Sequence, residues 1–308
     1  MRFAVLFPGQ GAQSPGMGRA LYEAYSEVRD VFETGRRATG RDVEALCFDT
    51  PPELLARTEN AQLALFAVSM GVWGVLAARG CRPAAAAGFS LGELSALCAA
   101  RVFSLCDGFR LVDARSRAMQ RAAELTGGGM SVVTGLPAET VERLAAELKN
   151  RAAPVNFNTS AQVTLAGPLE ALGALEEACR TAGARRVLRM NLSGAFHTEA
   201  MAGAGEALCA AAQGLAFSSP AFPVYTNPTA APLPDGADIP DHLRWQIVSP
   251  VRWQISVETM AAQEAELFVE TGSGGVLSGM MRQISGTPRC VRTDTPEALE
   301  EALGLLGA

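Results

Sequence analysis

Apolar positions along this chain fall into two patterns: short unbroken runs, and longer stretches in which they return every three or four residues. Runs predict buried strands and the returning pattern predicts amphipathic helices. Phe3 to Phe7 is such a run, and it ends in the glycine loop Pro8-Gly9-Gln10-Gly11. Ala20 to Arg37 reads as one helix with Tyr22, Val28, Val31 and Phe32 as its apolar positions. A loop around Asp49 to Pro52 and a short helix from Pro52 to Ala56 follow, and then Ala61 to Ala78, which is almost wholly apolar. That stretch is long enough to span a bilayer. Gln62, Ser69, Gly71 and Gly74 dilute it, and a span there would part the first strand from the motif that follows, so a buried core helix is expected.

The small apolar run Pro83 to Ala87 leads into Gly88-Phe89-Ser90-Leu91-Gly92 and a helix, and a second helix is expected from Cys106 to Thr126. In that second helix Arg115 lies nearer the apolar side, whereas Arg117 reads as solvated. At Thr126-Gly127-Gly128-Gly129 the pattern changes. Strand at Met130 to Val133, helix at Ala138 to Asn150, strands at Ala153 to Phe157 and Gln162 to Ala166, helix at Pro168 to Gly183 and strand at Arg186 to Arg189 make β-α-β-β-α-β, the split ferredoxin-like motif. Beyond it, Ser193 to His197 is expected to open a helix through Ala211. A strand follows at Val224-Tyr225, then helices at Asp241 to Ser249 and Val251 to Ala262, and a last buried strand at Leu267 to Glu270 before a glycine-rich turn and a helix. The fold class is α/β: an α/β-hydrolase-like parallel-sheet core over residues 1–125 and 194–308, with a ferredoxin-like small domain inserted at 126–193.

Composition narrows the function. A chain of 308 residues with 48% hydrophobic and 19% charged residues can bury a large core, and its net charge of -6 argues against nucleic acid as a partner. Lys149 is the only lysine and sits near Glu142 and Glu147, which weighs against Schiff-base or P-loop chemistry. Seven scattered cysteines without a C-x-x-C spacing read as reduced thiols of a cytoplasmic protein, and two histidines are too few for a histidine metal cluster.

Gly88-x-Ser90-x-Gly92 at a strand-to-helix turn is the nucleophile-elbow pattern, in which the glycines permit a tight turn that exposes the serine oxygen. The alternative is a plain helix N-cap serine. Gly9-x-Gly11 after a strand also invites a dinucleotide-binding reading, but the third glycine position is Ser14 and no acidic strand end follows. A serine nucleophile needs a base. His197 follows a Gly-Ala-Phe turn in an apolar setting and is preferred to His242, which lies amid Asp238, Asp241 and Arg244 and reads as structural or surface. The acid of a Ser-acid-His triad is missing, because Asp107 and Asp113 both fall on the helix after the elbow. That points to another group, such as a carbonyl oxygen, as the one that orients the imidazole.

With these motifs in place the chain resembles, almost end to end, the malonyl-CoA:acyl carrier protein transacylases and the related acyltransferase domains of polyketide synthases. The resemblance rests on Phe7 to Gln13, Gly88 to Glu93, Leu111 to Arg115 with Met119-Gln120, Pro154 to Asn158, Gly194 to His197, Trp245-Gln246 with Ser249 to Trp253, and Glu270 to Gly274. It implies Ser90 as nucleophile, His197 as general acid and base, the main-chain carbonyl of Gln246 as its orienting group, and the N–H groups of Gln10 and Leu91 as oxyanion hole. It implies Arg115 as the clamp on the malonyl carboxylate, Phe196 as the bulk that opposes a branched methyl group, and Gln62 and Asn158 as further substrate-binding positions. The chain departs from the family at Phe89 (usually His), Leu63 and Ser273 (often Pro) and Gly275 (often Lys).

The resemblance further implies transfer of malonyl from malonyl-CoA, a substrate, to the phosphopantetheine thiol of acyl carrier protein, with no bound cofactor, in a monomer that does not engage membranes. Arg185, Arg186 and Arg189 are candidates for meeting an acidic carrier protein. Two other classes share the elbow or the partner: a serine thioesterase or hydrolase, and a non-catalytic carrier-protein-binding subunit.

Overall fold

The computed structural model describes residues 1–192, 194–263 and 265–308. Among the described residues the strands are β1 (Phe3–Phe7), β2 (Ala85–Gly88), β3 (Gly129–Thr134), β4 (Ala153–Thr159), β5 (Gln162–Gly167), β6 (Arg186–Arg189), β7 (Val224–Tyr225), β8 (Leu267–Glu270) and β9 (Cys290–Arg292). They form two sheets. One is five-stranded and wholly parallel in the order β7-β2-β1-β8-β9; the other is antiparallel in the order β4-β5-β3-β6. β1, β2 and β8 are buried along their whole length, as strands covered on both faces must be. The architecture is an α/β core with a small inserted subdomain.

Helix Thr58–Ala78 is apolar all round because it is buried all round: it packs on helices Ser26–Thr39 and Leu105–Thr126. It is the one described helix long and apolar enough to cross a membrane, and here it forms the middle of the core.

The expected single helix from Ala20 to Arg37 is two helices, Arg19–Ala24 and Ser26–Thr39. Tyr25 between them is extended (φ -123°, ψ 128°) and its hydroxyl donates to Glu300 at 2.7 Å. Helix Val43–Phe48, capped by Asp42, and the C-terminal β9 with helix Pro296–Leu306, capped by Thr295, are additions to the expected elements. Ser193 lies outside the described residues. The helix expected to open there starts instead at Ala202, after a 3-10 turn at Glu199–Met201.

Two contacts position the site. β1 and β2 run side by side with Phe7 opposite Gly88, so the Gln10 loop and the Ser90 turn leave the same edge of the sheet. This is where open α/β sheets bind ligands. The inserted sheet touches the core through β4: Phe157 N–H donates to the Val251 carbonyl at 2.9 Å, and Val251 N–H donates to the Val155 carbonyl at 2.8 Å.

Candidate active site

Ser90 stands two residues after β2 and caps helix Leu91–Ala99 with φ 52° and ψ -102°. A non-glycine residue there is strained and persists only where its surroundings hold it. The flanking glycines make the turn possible by close approach. A Cβ on Gly88 would lie 1.8 Å from the Gly92 carbonyl carbon, and one on Gly92 would lie 2.0 Å from the Phe7 carbonyl oxygen. The elbow and the loop after β1 are therefore pressed together. Ser90 makes no side-chain cap bond. Its Oγ lies 2.8 Å from His197 Nε2, so the plain N-cap reading of this serine does not hold.

His197 comes from the segment before the 3-10 turn, itself at positive φ (62°), and is buried. Its Nδ1 lies 2.9 Å from the Ser249 carbonyl oxygen. This corrects the expected orienting group: the hydrogen-bonded carbonyl is that of Ser249, not Gln246, whose carbonyl favours the imidazolium only as a weaker neighbour. The reason lies in the helix end. The Gln246 carbonyl accepts the Ser249 N–H at 3.4 Å, while Ser249, extended at φ -103° and ψ 151°, is free to turn its own carbonyl to the ring. With Nδ1–H donated to Ser249, Nε2 is the acceptor that faces Ser90. Burial, helped by the positive charge of Arg115, lowers the His197 pKa to about 4, so the ring is neutral at pH 7.

Arg115 rises from the middle of helix Leu105–Thr126 and is fully buried. Nη1 donates to Gln62 Oε1 at 2.6 Å; Nη2 donates to Ser90 Oγ at 3.2 Å and to Gln246 Oε1 at 3.3 Å. Nε is buried without a partner. Among the described residues every acceptor of this guanidinium is thus a neutral oxygen, and burial lowers its pKa to about 10 despite the more distant Glu93. Leaving a buried cation without a paired carboxylate is costly. Arg117 on the same helix is exposed and pairs with Asp113.

Ser90, His197, Arg115, Gln62 and the side chain of Gln246 are thus brought into one hydrogen-bonded cluster. Phe196 is buried beside His197 in sequence. Gln10, half-buried in the loop after β1, donates from its side chain to Thr58 at 3.3 Å. Asn158 does not join the cluster: its Nδ2 is taken up within the inserted sheet by Gln162 at 3.1 Å and Thr164 at 3.3 Å. Phe89 turns the other way, edge-on to Trp253 at 5.6 Å between ring centroids, in an apolar cluster with Leu6, Ala87 and Val251.

Sequence reasoning missed Asn227, whose Oδ1 accepts the Ser90 N–H at 2.8 Å and whose Nδ2 donates to the Gly88 carbonyl at 2.6 Å. An Asn-Pro pair after a short strand was its only signal. Of the two readings of His242, structural or surface, the structural one holds: it is buried against Glu93. Among the described residues no group of three or more His, Cys, Asp or Glu side chains is placed to hold a metal ion.

Fold and site together define an α/β acyltransferase. The profile described as the acyl transferase domain matches residues 5–284, and the chain belongs to that family. It is similar to the malonyl CoA-acyl carrier protein transacylase of Salmonella typhimurium (strain LT2), 38% identical over 305 residues, which are 98% of this chain and 99% of the relative. It superposes with a TM-score of 0.94 on the malonyl-transacylase solved in complex with its type II polyketide-synthase acyl-carrier protein, at 35% identity over 99% of this chain and 100% of that one. The acyl carrier protein S-malonyltransferase of Vibrio cholerae superposes with a TM-score of 0.93, at 36% identity over 98% and 100% of the two chains.

Proposed function

We propose that this chain moves a malonyl group from malonyl-CoA to the phosphopantetheine thiol of acyl carrier protein through a malonyl ester of Ser90. The observation that carries the reading is Arg115: a fully buried guanidinium whose Nη2 is 3.2 Å from the nucleophile oxygen and which has only neutral acceptors. A substrate carboxylate completes it. Arg offers the planar fork that holds a carboxylate through paired bonds, which a lysine does not.

In the first half His197 Nε2 accepts the Ser90 proton as Oγ attacks the thioester carbon. The tetrahedral oxyanion lies against the N–H groups of Gln10 and Leu91. Leu91 suits this role because the first residue of a helix has no intrahelical acceptor for its N–H. The oxyanion collapses, the carbon–sulfur bond breaks, and the CoA thiolate takes the proton from His197. In the second half the carrier thiol gives its proton to His197, attacks the malonyl ester, and Ser90 recovers its proton. The Ser249 carbonyl steadies the imidazolium in both halves. Ser90 and His197 carry the acyl group and the protons in both halves, and malonyl-CoA enters as substrate.

Carrier protein meets the exposed Arg185 and Arg186 at the β6 edge of the inserted sheet; Arg189 contributes less, since it pairs with the buried Glu176 at 2.9 Å. Free thiols at all seven cysteines support a cytoplasmic setting.

Intact mass after mixing with malonyl-CoA tests the reading. One malonyl group should appear on the chain and be absent from Ser90→Ala. An unmodified wild-type chain would overturn it, and would favour a non-catalytic subunit.

A further inference from the structure

The elbow is fastened from behind by groups that the transfer steps do not use. Glu93, on the first turn of the helix that Ser90 caps, is fully buried. One of its carboxylate oxygens lies 2.6 Å from His242 Nε2, and the other accepts the Asn227 backbone N–H at 2.5 Å. Asn227 holds both ends of the turn through Ser90 N–H and the Gly88 carbonyl. Gln246 stands one helical turn beyond His242 on helix Ile239–Val248. Its Nε2 donates to the Ser90 carbonyl at 2.9 Å and to Asn227 Oδ1 at 3.2 Å. The circuit from His242 through Glu93, Asn227 and Gln246 therefore closes on one helix.

We propose that His242 is a positioning residue for the nucleophile: its donation to Glu93 fixes the carboxylate that holds Asn227, and through Asn227 the strained backbone of Ser90. The proposal rests on Ser90 being the nucleophile. A buried carboxylate oxygen left without a donor must be re-solvated or protonated, and either change loosens its grip on the Asn227 N–H. Ser90 sits at φ 52° and ψ -102°, a conformation that relaxes when its supports weaken. The His242 ring also meets Trp245 edge-on at 6.3 Å, and the pull of Glu93, aided by Asp241, outweighs burial and raises its pKa. Both charge and geometry thus tie His242 to Glu93.

The test compares wild type, His242→Leu and His242→Gln in two reactions: acylation by malonyl-CoA, and labelling by a serine-directed fluorophosphonate that needs no malonyl site. His242→Leu should slow both by about 10- to 100-fold, the cost of displacing a reacting group by a fraction of an ångström to an ångström. KM for malonyl-CoA should stay unchanged, because Arg115 is untouched. His242→Gln, which keeps an N–H donor near the Nε2 position, should recover most of the rate. His242→Leu at the wild-type rate would overturn the proposal, as would equal slowing in both variants. Labelling without malonylation in the wild type would sink the transfer reading yet leave the labelling rates to judge His242. A wild type that resists both reagents would sink both.

Discussion

Arg115 and His197 are fully buried and nearly so and share the Ser90 oxygen; burial makes charge costly for both, and the Arg115 charge adds to the cost for His197. For Arg115 the expected consequence is selectivity. Arg115→Ala should cost about 2–5 kcal/mol of the preference for malonyl- over acetyl-CoA, the scale of truncating one partner of a buried charge pair. Acylation rates with the two thioesters measure it, and an unchanged ratio would remove Arg115 from the carboxylate. For His197 the consequence is pH dependence. Its pKa falls from 6.5 when unfolded to about 4 when folded, so between these values the unfolded chain binds more protons. Its contribution is full above pH 6.5 and is lost as pH falls toward 4, by roughly 3 kcal/mol at the low end. His242, with its pKa raised, has the opposite sign: its contribution is present at low pH and lost as pH rises through the folded value. Urea unfolding between pH 4 and 6.5 should show a shallower rise of stability with pH in His197→Ala than in wild type.

At the level of elements, the site depends on backbones that touch. β1, β2 and the helix from Leu91 cross where Gly92 meets the Phe7 carbonyl, and no side chain fits between them. Gly92→Ala should destabilise the fold by on the order of 3 kcal/mol or more, at the upper end for a point substitution, and should slow acylation by moving the Gln10 loop off Ser90. A thermal melt and the acylation rate check both effects. The inserted sheet contributes in a similar way. Its β4 strand hydrogen-bonds to Val251, two residues from the Ser249 carbonyl that orients His197.

Elements of this kind were partly legible in the sequence. Phe3–Phe7, the elbow and the β-α-β-β-α-β stretch are specified locally, by apolar runs and glycines, and they appear where expected within a few residues. The break at Tyr25 was not legible, because the apolar spacing runs through it and the cause, a hydrogen bond to Glu300, is remote in the chain. Nor was the choice of Ser249 over Gln246, which depends on the φ and ψ of the residue that ends a helix.

Over the whole molecule, the hydrogen-bonded groups of the candidate site come from residues 90, 115 and 197 and from the turn ending at 249, and only folding assembles them. Residue type alone narrowed the choice, since the chain holds two histidines and one candidate elbow. His242 read as a structural or surface residue, with its burial undecided, because Asp238, Asp241 and Arg244 surround it in sequence. On the helix it shares a face with Gln246 and is buried with it. With a net charge of -6 the overall field does not attract an acidic partner, so the proposed docking of carrier protein rests on local arginines. Arg185→Glu with Arg186→Glu should raise KM for carrier protein and reduce its salt dependence, while acylation by malonyl-CoA stays at the wild-type rate. Steady-state kinetics at two ionic strengths decide this.

The central claim is that the chain transfers malonyl rather than hydrolysing its ester. The most direct measurement isolates malonylated enzyme and follows, in a single turnover, how the group divides between holo acyl carrier protein and water. The account predicts that nearly all of it appears on the phosphopantetheine thiol, with hydrolysis far slower. Loss mainly to water at saturating carrier protein would contradict it and make the protein a thioesterase.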